Sequence, residues 1–250
     1  MKTIKHTLIL GAIAISLVAC KEDNKTAQTT ETTAEVAVQE TPLSADVMSA
    51  EEQAALTPDQ VITLFKEGNE RYVSNNLTPR DYSKQVQSTT AGQFPQAIVL
   101  SCVDSRVPVE HVLDRGIGDI FVARVAGNFV NEDILGSMEF ATKVSGSKLV
   151  MVMGHEHCGA VKAAIDNVEL GNITPMLSKI KPAVAMVEYE GERNAKNGEF
   201  VAMVCESNVK NTIEEIRKNS PIMKEMEDNG EIKIVGAVYD LDSGIVSFLD

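Results

Sequence analysis

Two short clusters of side chains that can bind a metal stand out in this sequence of 250 residues. Residues 102–106 are Cys-Val-Asp-Ser-Arg, and residues 155–158 are His-Glu-His-Cys. Two thiolates and one imidazole form a known catalytic zinc set, which leaves the fourth position of the metal free for water or substrate. These donors favour zinc over magnesium or calcium, although iron or cobalt can occupy the same kind of site.

The spacing within residues 102–106 indicates how a carboxylate near the metal is controlled. Side chains alternate between two faces in an extended segment, so Cys102, Asp104 and Arg106 are predicted to point the same way. An ion pair with Arg106 keeps the Asp104 carboxylate ionised and off the metal, where it can accept a proton from metal-bound water. If the pair breaks, Asp104 becomes a fourth ligand. The paired and ligated arrangements are expected to be active and inactive, respectively.

Buried parallel strands are predicted directly before both clusters. Short apolar runs at 97–100, 120–123 and 149–153 are typical of such strands, and helical spacing of apolar residues at 134–141 predicts a crossover helix. A further amphipathic helix is predicted over 206–218. This order predicts an α/β fold with a mostly parallel central sheet flanked by helices. Such sheets place ligands at the carboxyl ends of their strands, where both clusters lie.

A capped helix and a β-hairpin mark the two ends of the predicted domain, which spans residues 57–250. Thr57 is a good N-cap with Pro58 at the first helical position, and the apolar spacing continues to about Asn75. Near the C-terminus, two apolar runs within 233–248 flank an Asp-Ser-Gly turn, which predicts the hairpin.

The N-terminus is similar to a bacterial lipoprotein signal. Lys2 and Lys5 precede an apolar run over residues 8–19, and the run ends in Leu-Val-Ala followed by Cys20. We therefore expect residues 1–19 to be removed as a signal peptide and Cys20 to carry lipid. A plain signal peptide, or a buried helix with a chance cysteine, is the alternative interpretation.

Residues 20–56 are predicted to form the lipidated cysteine and a disordered tether. The segment is rich in Thr, Glu, Ala and Gln and lacks aromatic residues, so it cannot bury enough apolar surface to offset its conformational entropy. A marginal helix over residues 45–55 is compatible with this interpretation. The expected location is the cell envelope, with the domain facing the periplasm. In a Gram-negative organism the outer membrane is favoured, because Lys21 stands where inner-membrane lipoproteins commonly have Asp.

Composition excludes several classes of protein. A formal net charge of −13 argues against an electrostatic nucleic-acid binder, so no nucleic-acid partner is expected. Four cysteines are too few for a disulfide scaffold of this length. No internal apolar run approaches the roughly 20 residues that a membrane span requires, so membrane contact is expected only through the N-terminal lipid.

Together the two clusters resemble the paired signature of the β-class carbonic anhydrases. Residues 67–72, 124–128 and 136–141 are similar to the first-helix, second-strand and crossover-helix motifs of that family. The resemblance covers about residues 57–250 and leaves out the leader and the tether. It implies the α/β fold of the family, and homodimers or homotetramers built through the first helices and a sheet edge.

The resemblance also implies the roles of individual residues. Cys102, His155 and Cys158 are expected to bind Zn²⁺. Asp104 and Arg106 are expected to form the dyad that orients zinc-bound hydroxide during the reversible hydration of carbon dioxide to bicarbonate and a proton. Relatives with similar signatures hydrolyse CS₂ or COS, and that alternative stays open. A non-enzymatic zinc-binding lipoprotein is a weaker alternative, because metal storage needs neither member of the dyad.

Two further expectations concern the substrate and regulation. Gln93 matches a family glutamine that hydrogen-bonds the substrate, and a loop amide facing solvent is the alternative. Family members with a regulatory bicarbonate site carry a Trp and often a Gly at the positions of Val99 and Ser101, whereas this chain has no Trp. We therefore expect an open site at neutral pH, with Asp104 paired to Arg106 and off the metal.

Overall fold

A computed structural model describes residues 42–249 of the chain. Its strands belong to one five-stranded sheet. They are β1 (Ala97–Ser101), β2 (Ile120–Arg124), β3 (Leu149–His155), β4 (Lys233–Tyr239) and β5 (Val246–Phe248). The order is β2-β1-β3-β4-β5, with the first four strands parallel and β5 antiparallel to β4. The predicted α/β fold with a C-terminal hairpin is confirmed.

Helices cover both faces of the sheet, which is why β1 and β3 are buried along their whole length. A π-helical turn, Phe140–Val144, continues the crossover helix. The helices are α1 (Ala50–Ala55), α2 (Pro58–Val73), α3 (Tyr82–Ser88), α4 (Val109–Val112), α5 (Glu132–Glu139), α6 (Gly159–Ile165), α7 (Ile173–Leu177), α8 (Lys181–Met186), α9 (Gly198–Asn219) and α10 (Pro221–Asp228).

Strand register places the two metal-binding clusters side by side. Ser101, the last residue of β1, lies opposite Met153 in β3, and β3 continues to His155 because β4 pairs with it as far as Tyr239. Cys102 therefore leaves β1 next to the end of β3. Both clusters lie at the carboxyl edge of the sheet, as the strand pattern predicts.

Local capping explains where two of the predicted helices begin. The Thr57 side chain accepts a hydrogen bond from the Gln60 backbone N–H, the Gln60 side chain accepts one from the Thr57 backbone N–H, and Pro58 occupies the first turn of α2. Helix α9 begins at Gly198, earlier than the predicted residue 206, because the Asn197 side chain caps the backbone N–H of Phe200.

Residues 42–56 pack on the domain, whereas the sequence predicts a tether through residue 56. The Gln53 side chain is buried, and its Nε2 donates to the carbonyls of Pro95 at 2.7 Å and Ser145 at 2.8 Å. Helix α1 lies within the marginal helix considered at 45–55 and begins with a capping box at Ser49. A composition argument misses this attachment because it depends mainly on hydrogen bonds to backbone carbonyls, including those of Ser44 and Asp46, with Leu56 as an apolar contact.

The predicted signal peptide, the lipidated Cys20 and the tether as far as residue 41 lie outside the described residues. Within residues 42–249, no helix combines the length and apolar character needed to cross a membrane.

Candidate metal centre

Three ligand atoms converge at the carboxyl edge of the sheet. Cys102 follows β1, His155 ends β3, and Cys158 lies directly before α6. The Cys102 and Cys158 sulfurs are 3.9 Å apart, and the ligand atoms of all three residues lie within 4.8 Å of one another. All three residues are buried. This separation suits two sulfurs that share one ion at zinc–sulfur distances of about 2.3 Å.

The orientation of His155 also fits a metal ligand. Its Nδ1 lies 2.8 Å from the carbonyl oxygen of Glu156, which assigns the proton to Nδ1 and leaves Nε2 as the free lone pair. Among residues 42–249, Nε2 has no hydrogen-bond partner although the side chain is buried. An unpaired buried polar atom is costly, and a metal ion removes that cost. The donor set present therefore fits zinc.

The contact between the two sulfurs changes their ionisation in opposite directions. A hydrogen bond from the Cys158 thiol lowers the pKa of Cys102 below its usual range, with smaller contributions from His155 and the Gly127 backbone. The same contact, together with burial, raises the pKa of Cys158. Gly127 N–H donates to the Cys102 sulfur at 3.3 Å. In the metal-free pair, Cys102 is thus the sulfur that ionises first.

Asp104 lies beside the ligand triangle and is paired with Arg106. Arg106 donates from Nε to Oδ1 at 2.9 Å and from Nη2 to Oδ2 at 2.8 Å, so the pair is bidentate. These hydrogen bonds hold the pKa of Asp104 well below its usual range. Asp104 Oδ2 is also 3.8 Å from His155 Nε2. The carboxylate is therefore ionised, restrained and close to the position of a metal ligand.

Arg124 holds the backbone of this loop and is a supporting residue that sequence reasoning gave no individual role. Its Nε donates to the carbonyl of Cys102 at 2.8 Å, and its Nη2 donates to the carbonyl of Asp104 at 2.6 Å. Arg124 ends β2 and lies opposite Ser101. The position of Arg124 in the sequence could have indicated this role, because a long cationic side chain at the carboxyl end of the neighbouring strand can reach the loop that follows β1.

Gln93 does not join the other predicted site residues within one chain. It precedes β1 and is exposed, and its Cβ lies 3.9 Å from where a Cβ on Gly118 would be, just before β2 begins. It is therefore at the amino end of the sheet, whereas Cys102 follows the carboxyl end. Five residues of strand, about 17 Å, separate the two ends.

The carboxyl edge of the parallel sheet thus carries a buried Cys-His-Cys triad that could hold a metal ion, next to an arginine-paired aspartate. Three protein donors are typical of catalytic zinc sites, whereas structural zinc sites have four. Comparison with known proteins makes the class specific. A family model described as "Carbonic anhydrase" matches residues 97–246. The chain belongs to the carbonic anhydrase family, in its β class, and is an enzyme of that family.

Curated relatives and solved structures agree with this assignment. Carbonic anhydrase 2 of Mycobacterium tuberculosis is 34% identical over 188 residues, which cover 72% of this chain and 87% of that protein. The carbonic anhydrase of Mycolicibacterium smegmatis is also 34% identical, covering 73% and 88%. The β-carbonic anhydrase CafA of Aspergillus fumigatus superposes with a TM-score of 0.59 at 25% identity, covering 77% and 90% of the two chains. The Coccomyxa enzyme has a TM-score of 0.60 at 22% identity, covering 78% and 86%, which supports the fold.

Proposed function

We propose that this protein is a zinc enzyme that catalyses the reversible hydration of carbon dioxide to bicarbonate and a proton. The observation that carries this proposal is the buried triangle of Cys102, His155 and Cys158, with the unpaired Nε2 next to the carboxylate of Asp104. The names of the relatives support carbon dioxide as the substrate.

Cys102, His155 and Cys158 are the residues that would hold the zinc ion. When bound, zinc acts as a Lewis acid and lowers the pKa of a water ligand to about 7. The surroundings of the triad help to exclude bulk water, because Cys102 and Cys158 pack in one apolar cluster with Phe129 and Val161. Exclusion of water strengthens electrostatic interactions within the site.

Asp104 and Arg106 have separate tasks in the proposed reaction. Arg106 keeps the carboxylate ionised and holds it in one orientation, so that it does not become a ligand. Asp104 Oδ2, on the side of His155, accepts a hydrogen bond from the attacking oxygen and directs a lone pair towards the carbon of the substrate. Arg124 fixes the loop that carries Asp104 by bonding two of its carbonyls.

The experiment is a stopped-flow assay of carbon dioxide hydration by the zinc-loaded protein, with and without a chelator. The nearly isosteric Asp104→Asn change is expected to lower kcat/KM by about 10²- to 10⁴-fold with unchanged zinc content, because the acceptor charge is lost. Asp228→Asn, at an exposed carboxylate in the last turn of α10, is the matched control. Full hydration activity in Asp104→Asn would refute the assigned role.

The same zinc-loaded protein distinguishes carbon dioxide from the alternative substrates. CS₂ and COS are offered in parallel assays, with release of H₂S as the readout. We expect carbon dioxide to have the highest kcat/KM. A higher value for CS₂ or COS would contradict the proposed substrate, and zinc binding without turnover of any of the three would favour the non-enzymatic alternative.

We further propose that the protein forms a homodimer or homotetramer in which Gln93 of one copy serves the site of another. The distance of Gln93 from its own triad supports a second copy, and so does an apolar groove of about 730 Å³ beside the edge strand β2, lined in part by Phe121 and Phe140. A Sordaria macrospora structure in this fold is described as tetrameric.

Mixing two impaired variants tests the shared site. Gln93→Ala and Asp104→Asn are each expected to be weakly active, whereas hybrids that contain both regain sites with one intact set of residues. Sedimentation measures the assembly. A monomer with full activity would contradict the proposal.

The location is a separate proposal, supported by the sequence of residues 1–20 alone. We propose a lipoprotein of the cell envelope, attached through lipid on Cys20 and facing the periplasm. Cys20→Ser is expected to move the protein from the membrane fraction to the soluble fraction and to abolish incorporation of labelled fatty acid. Unchanged membrane association would contradict it.

A further inference from the structure

We propose, on the basis of the zinc centre proposed above, that Asn208 is a positioning residue for that centre. Its buried side chain holds the turn whose backbone amide hydrogen-bonds to the Cys102 sulfur. The pathway runs from helix α9 to Gly127 and from Gly127 to the sulfur, through two hydrogen bonds of 2.7 and 3.3 Å.

The turn that follows β2 has a geometry that directs this amide at the sulfur. Asn128 N–H bonds the carbonyl of Val125 at 2.9 Å, which closes a four-residue turn. Gly127, the third residue, has φ of +83°, as a type II turn requires. The turn's own hydrogen bond does not use the Gly127 N–H, which donates to Cys102 instead. A Cβ at Gly127 would lie 2.4 Å from Ile180 Cδ1, so the turn is also held by close packing.

Asn208 is a polar residue on the buried, largely apolar face of α9. The residue is fully buried, and Cys205 and Val209 on the same helix are buried beside it. A carboxamide in such a place is costly unless it is hydrogen-bonded. Its Nδ2 donates to the carbonyl of Gly127 at 2.7 Å, while its Oδ1 has no partner among residues 42–249. Among the described residues, the hydrogen bond to the Gly127 carbonyl is therefore the one that the Asn208 side chain makes.

A second side chain on α9 forms a hydrogen bond to the next residue of the turn. The Thr212 hydroxyl, one helical turn after Asn208, donates to the carbonyl of Asn128 at 3.3 Å. Two successive carbonyls of the turn are thus tied to one long helix. Because α9 packs on β3 and β4, this arrangement fixes the turn against the same sheet that carries His155.

An N–H···S hydrogen bond withdraws electron density from a ligand sulfur and limits its motion. Loss of outer-shell partners typically reduces metal affinity by about 10- to 100-fold. Asn208 acts one bond further out, so we expect Asn208→Leu to release zinc to a chelator about tenfold faster than the wild type. The variant is nearly isosteric and removes only the donor.

The test compares Asn208→Leu with Ser207→Ala in the zinc-loaded and cobalt-substituted proteins. Ser207 is the neighbouring residue on α9 and donates to the carbonyl of Ala183, away from the turn. In the cobalt protein, loss of the N–H···S bond raises the energy of the sulfur lone pairs. The sulfur-to-cobalt absorption band is therefore expected at longer wavelength in Asn208→Leu and unchanged in Ser207→Ala.

A purely structural role for Asn208 predicts a lower melting temperature with an unmoved band and an unchanged rate of zinc release, and that result would overturn the inference. If Asn208→Leu does not fold, Asn208→Ala removes the same donor without added bulk. The ¹¹³Cd-substituted wild type provides a second measurement, in which the Gly127 amide proton should show coupling to the metal through sulfur; absence of coupling would also overturn it. A wild type that binds no cobalt would instead refute the zinc centre itself.

Discussion

Asp114 offers a sharp quantitative test of how the domain is held together. Its side chain is completely buried, and its carboxylate accepts hydrogen bonds from Arg71 Nε at 2.6 Å, from Arg80 and from the Thr78 hydroxyl at 2.7 Å. Arg71 lies on α2, Thr78 and Arg80 lie in the loop that follows it, and Asp114 lies two residues after α4. One ionised carboxylate therefore joins three segments of chain.

The Asp114→Asn change is expected to lower the free energy of unfolding by about 3 kcal/mol at pH 7, because it leaves the mostly buried Arg80 and the partly exposed Arg71 without a counter-charge. The pH dependence can be worked out separately. Burial raises the pKa of Asp114, but hydrogen bonds from Arg80, Arg71 and Thr78 outweigh it and set the pKa at about 2. Against an unfolded value near 3.9, this difference corresponds to about 2.6 kcal/mol, most of which is lost by pH 2.

The sign of this contribution follows from the lowered pKa. Stabilisation by Asp114 is fully present above about pH 4 and is lost as the pH falls through about 2. Urea unfolding of the metal-free protein between pH 2 and 7 measures it without interference from zinc release. The difference between wild type and Asp114→Asn should shrink by about 2 kcal/mol over that range. A difference independent of pH would refute the reasoning.

Asp228→Asn is the matched control for Asp114→Asn. Asp228 forms an exposed ion pair with Lys224 on α10, and such pairs contribute about 0–1 kcal/mol. We expect the control to unfold within about 0.5 kcal/mol of the wild type at pH 7.

Three other substitutions test close packing and the N-terminal attachment. A Cβ on Gly68 would lie 2.1 Å from the Leu113 carbonyl oxygen, so Gly68→Ala should cost about 2–3 kcal/mol in chemical unfolding. Gly136→Ala on α5, where a Cβ would meet no described atom within 4 Å outside its own helix backbone, should instead stabilise by about 0.5–1 kcal/mol, and equal effects would contradict the contact. Gln53→Ala removes the hydrogen bonds to the carbonyls of Pro95 and Ser145 and should make residues 42–56 cleave sooner in limited proteolysis, with an unchanged cleavage rate as the contrary result.

Much of the fold could be predicted from sequence because its signals are local. Residues 97–100, 120–123 and 149–153 are continuous apolar runs, and each became a strand within one or two residues of its predicted bounds. The placement of Cys102 and His155 at one edge follows from those strands being parallel. Sheet topology alone therefore brought the two clusters together.

The features that the sequence did not predict depend on contacts that leave no periodic pattern of residue types. Gln53 attaches a polar segment through two carbonyls from distant parts of the chain. Arg124 and Asn208 act on backbone atoms, which are the same in every residue, so no pairing of residue types indicates them. The position of Gln93 became evident only when the loop before β1 was located relative to the sheet.

The short distance between Cys102 and Cys158 has a consequence for the metal-free protein. Their sulfurs are 3.9 Å apart and contact each other directly. An oxidant that removes two electrons and two protons would join them in a disulfide with a bond of about 2.05 Å. Such a bridge would use both sulfurs of the candidate metal centre, so a zinc ion bound there would protect the two thiols from oxidation. The supply of metal would then also determine how well the site resists oxidants.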